Sequence, residues 1–169
     1  MKRNIILIGF MGSGKSTLAR ILSKELGWPS VSTDAWVEEK ERKSITDIFK
    51  ESGEAYFRDL EHQAVVEITA SQGVIVDCGG GVVLNPKNIE ILTKTGTLVY
   101  LSCAPEEIYR RILAQPKRPL LDVTDPMARI HELLKQRQPF YEQADMIVDT
   151  SDGDLHRVAR EVIKRINHE

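Results

Sequence analysis

Two observations predict an α/β fold, read as a three-layer α/β/α sandwich around a five-stranded parallel sheet. Five short apolar runs alternate with helical patterns, and a glycine-rich loop joins the first run to the first helix. Residues 4–9, Asn-Ile-Ile-Leu-Ile-Gly, form a continuous β-branched run, as a strand buried on both faces requires. Residues 15–26 then place apolar side chains at 18, 19, 21, 22 and 26, a helical spacing that stops at Gly27. Further runs at 30–33, 73–78, 96–101 and 145–149 supply four more strands. Asn85-Pro86 reads as a helix cap followed by proline in the first turn, and Pro105 before Glu106-Glu107 repeats the pattern. Parallel sheets of this kind bind ligands at the carboxyl ends of their strands, where every motif described below falls.

The length, 169 residues, suits one domain spanning 1–169 with one core. Lys and Arg number 23 against 25 Asp and Glu, a formal charge of -2 with pI ≈ 6.1, which argues against a broad nucleic-acid or membrane-surface partner. No apolar run approaches the ~20 residues that span a bilayer, and the apolar stretch near the N-terminus is too short for a secretory signal. Cys78 and Cys103 have no metal-ligand spacing and make too thin a disulfide framework, so a reduced, cytoplasmic, single-domain protein is expected, read as a monomer. His62, His131, His156 and His168 stand in no ligand or triad pattern and read as structural or exposed.

Gly9-Phe10-Met11-Gly12-Ser13-Gly14-Lys15-Ser16 satisfies G-x-x-x-x-G-K-[ST] between a buried strand and a helix start, the signature of a P-loop NTPase. The glycines let the backbone curl until successive N–H groups face one concavity, and the helix N-terminus adds positive potential beneath it. Gly12, Ser13, Gly14, Lys15, Ser16 and Thr17 are therefore the expected ATP-binding residues. Lys15 would serve the β/γ-phosphates as a catalytic point charge and Ser16 would ligate Mg²⁺. A loop of this kind in so short a chain leaves room for a small acceptor and little else. Three signals converge on one. Asp34 follows the second strand, poised to cap the next helix and face the site; Gly53-Glu54-Ala55-Tyr56-Phe57-Arg58 precedes an apolar-periodic helix; Gly79-Gly80-Gly81 follows the third strand.

With these elements in order, the sequence resembles the shikimate kinases over nearly its whole length. The matching residues are the 9–17 loop, Asp34, Ser44-Ile45-Thr46-Asp47-Ile48-Phe49, Gly53-Glu54, Phe57-Arg58, Glu61, Gly79-Gly80-Gly81, Arg118-Pro119-Leu120-Leu121, and Arg137 with Tyr141. The triple glycine with Phe-Arg distinguishes this family from other small P-loop kinases. The resemblance implies phosphorylation of the 3-hydroxyl of shikimate by ATP with Mg²⁺, within chorismate and aromatic amino acid biosynthesis. It implies an acceptor region at about 33–61 in which Asp34 orients or partly deprotonates the attacking hydroxyl. Arg58 and Arg137 would hold the carboxylate bidentately, and Gly79, Gly80 and Gly81 would supply backbone contacts. Residues 115–125, polar and holding Pro116 and Pro119, read as a loop, and the resemblance makes about 112–125 a mobile lid whose Arg118 closes over the γ-phosphate. Lys117 beside it reads as a solvated charge. Arg111 matches the adenine-stacking arginine of the family, with Arg110 one position away as the alternative, and the Ser151-Asp152-Gly153 turn would close the other side of the base.

The sequence also departs from the family. Ser32 stands where an aspartate usually helps hold Mg²⁺, and a hydroxyl is a weaker partner for a hard dication. Asp77, ending the third strand where a small neutral residue is common, is the expected substitute in a Walker-B-like position. Arg42 occupies a common glycine position at a helix end, and Cys78 reads as structural. Two alternatives stay open: a kinase for a related hydroxy acid such as quinate or gluconate, and a non-catalytic module that binds shikimate or nucleotide, favoured only by Ser32.

Overall fold

The computed structural model describes residues 4–114 and 119–167. Its strands are β1 (Asn4–Ile8), β2 (Ser30–Ser32), β3 (Ile75–Asp77), β4 (Gly96–Ser102) and β5 (Met146–Asp149). Its helices are α1 (Lys15–Leu26), α2 (Thr33–Glu41), α3 (Ile45–Thr69), α4 (Pro86–Thr95), α5 (Pro105–Leu113), α6 (Pro126–Tyr141) and α7 (Leu155–Ile166). The strands pair in parallel in the order β2-β3-β1-β4-β5, the five-stranded sheet that the apolar runs predict.

Alternation along β1 divides the core between two layers. Ile6 and Ile8 pack with Val37, Phe57, Ala64, Val65 and Leu92 under α2, α3 and α4. Ile5 and Leu7 face Leu18, Leu22, Val158 and Val162 of α1 and α7 on the opposite side. A satellite cluster of Phe10, Ile108, Leu121, Ile130 and Leu133 ties the phosphate loop to α5, α6 and the short 3₁₀ turn Pro119–Leu121. Phe10 is thus buried just outside β1, and its packing anchors the loop that follows.

The helix signals act as the sequence predicts, with three differences. Asn85 accepts from the Lys87 N–H, with Pro86 in the first turn, and α1 ends in a left-handed Gly27. The cap of α2, however, is Ser32, whose hydroxyl accepts from the Ala35 N–H at 3.3 Å; the strand stops one residue early and Asp34 lies inside the first helical turn. This corrects the capping role expected of Asp34 and leaves that side chain to the site. Residues before Gly53 are also helical: Ser44 caps α3 by accepting from the Asp47 N–H, and Gly53 (φ 83, ψ 175) breaks the helix before the half that carries Arg58 and Glu61. Third, Arg42 closes α2 in the left-handed region (φ 53), which explains why glycine suits that position better.

Candidate active site

The phosphate loop wraps the amino end of α1, with Gly9, Gly12 and Gly14 all at positive φ. Lys15 is buried and its Nζ donates to the Gly9 and Phe10 carbonyls at 2.8 and 2.9 Å, so the ammonium sits inside the loop it would serve. Ser16 Oγ donates to Asp77 Oδ2 at 2.6 Å. Asp77 is 8% exposed and lies directly across the β2–β3 pair from Ser32, so both face the same end of the sheet. These residues line a cavity of about 770 Å³, together with Gly12, Gly14, Thr17, Asp34 and Arg111.

Of the two neighbouring arginines, Arg111 is the one bonded to the phosphate loop. Its Nε donates to Glu107 at 2.7 Å, Nη1 to the Gly12 carbonyl at 3.3 Å and Nη2 to the Thr150 carbonyl at 2.5 Å. These bonds fix the guanidinium against both the loop and the end of β5. Arg110 also lines the cavity but is 73% exposed and bonded only to Glu107 among the described residues. The two arginines together hold the Glu107 carboxyl at a pKa of about 2, Arg110 contributing most.

The acceptor side is built from charged side chains that converge on three glycines. It encloses a smaller cavity of about 70 Å³, lined by Asp34, Arg58, Glu61, Gly79, Gly80, Gly81, Leu120 and Arg137, which shares Asp34, Gly79 and Gly80 with the larger one. Glycine lets these charged groups approach the backbone closely, and a side chain would displace them. A Cβ on Gly79 would lie 2.7 Å from Glu61 Oε1 and 2.8 Å from Asp34 Oδ1, and one on Gly81 would overlap the Arg58 guanidinium. The Gly79 N–H is held by Thr33 Oγ1 at 2.9 Å, and the buried Tyr141 hydroxyl donates to the Gly80 carbonyl. The backbone of this stretch is thereby fixed on both sides.

Arg58 pairs with Glu61 at 2.9 Å and with Glu54 at 3.1 Å. The pair is no surface contact, because Glu61 is 1% exposed. Burial pushes the Glu61 carboxyl up to about 7; Arg58 opposes the shift and Asp34 adds to it. Arg137 is 2% exposed, with its guanidinium carbon 5.6 Å from the Phe10 ring centre, and its Nε and Nη1 have no hydrogen-bond partner among the described residues. A buried cation with open donors is a costly arrangement unless an anion completes it.

Leu120, from the described end of the predicted lid, reaches this cavity, and Leu121 is anchored beside Phe10. Arg118 and Lys117 lie outside the described residues, as does His168. Cys78 is buried in the core and Cys103 half-buried, both as free thiols, and burial raises the Cys78 pKa well above its ordinary value. His62 bonds Asn88 at 2.6 Å, a structural role, while His131 and His156 are exposed. Two site-forming residues carry no motif in the sequence. Thr33 is hidden beside Asp34; Thr150 follows the fifth strand, and its place at a strand's carboxyl end was the available signal.

Known proteins resemble this chain in sequence and in fold. The shikimate kinase family profile matches residues 11–167. The shikimate kinase of Caldanaerobacter subterraneus subsp. tengcongensis is 44% identical over 162 residues, covering 96% of this chain and 95% of that one. The shikimate kinase of Dehalococcoides mccartyi is 42% identical, covering 95% and 92%. Among solved structures, the shikimate kinase from Acinetobacter baumannii in complex with shikimate superposes with a TM-score of 0.95 at 32% identity, covering 99% of this chain and 94% of that one. With the loop, the paired arginines and the triple glycine in one continuous cleft, this chain belongs to the shikimate kinase family.

Proposed function

We propose that this chain transfers the γ-phosphoryl group of ATP to the 3-hydroxyl of shikimate, supplying chorismate and aromatic amino acid synthesis. The observation that carries this reading is Arg137, buried with two open donors in a cavity that Asp34 shares with the phosphate-loop pocket. Shikimate presents a carboxylate at one end and ring hydroxyls at the other. The carboxylate would complete Arg137 and Arg58, which puts a hydroxyl toward Asp34 and the loop. Asp34 accepts from that hydroxyl and orients it, taking its proton as the bond to phosphorus forms. Lys15 exchanges its carbonyl partners for the phosphates, whose charge it offsets in the transition state. Gly79 to Gly81 carry the ring without side-chain bulk. Arg118 is assigned the lid position over the γ-phosphate, where such arginines supply about 10³–10⁵ in rate in related enzymes.

A divalent cation fits the Ser16 and Asp77 oxygens, a hydroxyl and a carboxylate brought together at the loop, and we assign it as Mg²⁺. When bound it neutralises charge on the β- and γ-phosphate oxygens. Asp77 takes the part left open by Ser32, with Ser32 itself a weaker participant. Replacing Asp77 by Ala should raise the Mg²⁺ concentration for half-maximal rate by about 10–100-fold; an unchanged Mg²⁺ dependence would refute the assignment. We read the enzyme as a monomer, and its two free thiols suit a reducing cytoplasm.

The decisive experiment measures ADP release from Mg-ATP with shikimate, quinate or gluconate, beside an acceptor-free control. Turnover with shikimate far above the others supports the proposal. ATP binding without turnover on any acceptor would favour a binding module instead.

A further inference from the structure

The phosphate loop can bind an anion only if its peptide planes are turned so that N–H groups face the pocket. In a trans peptide the carbonyl and the following N–H point in opposite directions, so whatever holds a carbonyl on the outside of the loop aims the next N–H inward. Thr150, fully buried at the end of β5, has its hydroxyl 2.7 Å from the Ser13 carbonyl and 3.0 Å from the Ser102 carbonyl. The hydroxyl has one proton for these two acceptors. The Ser13 carbonyl is the nearer acceptor, and the Ser102 carbonyl also receives the Thr150 N–H at 2.9 Å, so the hydroxyl proton is assigned to Ser13.

We propose that Thr150 is a positioning residue for the nucleotide phosphates: its hydroxyl pins the Ser13 carbonyl and thereby turns the Gly14 N–H into the phosphate pocket. The inference deepens the nucleotide-binding part of the function above and rests on it. Gly14 needs this external hold, because at φ 99 glycine has the freedom to rotate its peptide and no side chain to resist. The turn after Thr150 braces the same point, with Leu155 packed against Gly14. Arg111 adds a second tie, joining the Thr150 carbonyl to the Gly12 carbonyl. The edge of the sheet that would receive the base is thus bolted to the loop that would receive the phosphates.

The test measures ADP affinity by calorimetry for wild type, Thr150→Val and Thr150→Ser, with the unfolding temperature of each ligand-free protein and the KM for ATP and for shikimate. Valine keeps the shape and loses the donor. Thr150→Val should bind ADP about tenfold more weakly, the loss of one well-placed hydrogen bond. KM for ATP should follow, KM for shikimate should stay within about twofold, and Thr150→Ser should restore ADP binding. If Thr150→Val cannot be purified folded, Thr150→Cys, with its weaker donor, replaces it under the same readout. Unchanged ADP affinity overturns the proposal. So does weakening that serine fails to rescue, or weakening matched by a fall in unfolding temperature and in shikimate affinity alike. ADP binding is read without acceptor, so a failure of the shikimate assignment would leave this result standing.

Discussion

The two halves of the cleft achieve specificity by opposite means. The phosphate side is mostly backbone, drawn from one continuous stretch, with its carbonyls held by Lys15 from within the loop and by Arg111 and Thr150 from neighbouring elements. The acceptor side is mostly charged side chain, gathered from α2, α3 and α6 around three glycines. Backbone donors suit a ligand shared by many enzymes, since every residue has an N–H. Side chains suit a ligand that must be told from its analogues, since only they vary in charge and reach. Arg137 shows the cost of the second strategy: two of its buried donors meet no partner among the described residues.

Asp34 stands at the junction of the two halves, and its removal should have the largest effect. Asp34→Asn should lower kcat by about 10²–10⁴-fold while ADP affinity stays near wild type, measured by steady-state kinetics and calorimetry. If ADP affinity falls as steeply as kcat, the halves are not separable in this way. Next in size is Arg137→Lys, which keeps the charge and loses the planar fork. KM for shikimate should rise about 10–100-fold with KM for ATP unchanged; equal changes in both would contradict the division of labour.

The acceptor side should also impose a pH signature on stability. Glu61 has its pKa raised by burial from 4.5 to about 7, so between those values the folded state binds more protons than the unfolded one. Stability is therefore highest below about pH 4.5 with respect to this group and declines as pH rises toward 7, by a margin on the order of 1–3 kcal/mol. Denaturant titrations across that range should show the decline, and Glu61→Gln should flatten it. The smallest effect is a control outside both halves. Arg42→Gly relieves a left-handed helix end and should add about 0.5–1 kcal/mol of stability. Both KM values should stay where they are, and a shift in either would link that helix end to the cleft.

Sequence legibility follows the same division. The five strands, the helix that stops at Gly27 and the Asn85-Pro86 start are local signals, set by periodicity and capping within a few residues, and they lie within one or two residues of their expected bounds. The phosphate loop is legible for the same reason, since its chemistry is contiguous. The cap of α2 is less so: Ser32 and Asp34 are both good capping residues two positions apart, and the point at which β2 stops pairing with β3 settled the matter.

The sequence by itself determined the layered sheet, the anion-binding loop and the list of charged residues available to an acceptor, because each depends on short-range pattern or residue type. Only the tertiary structure decided which of those charges meet. Arg111 rather than Arg110 faces the loop, Glu61 is buried rather than superficial, and Thr150 reaches Ser13 across 137 positions of chain. The physical reason is that burial and hydrogen-bond partnership are properties of packed surfaces, created when distant segments exclude water together.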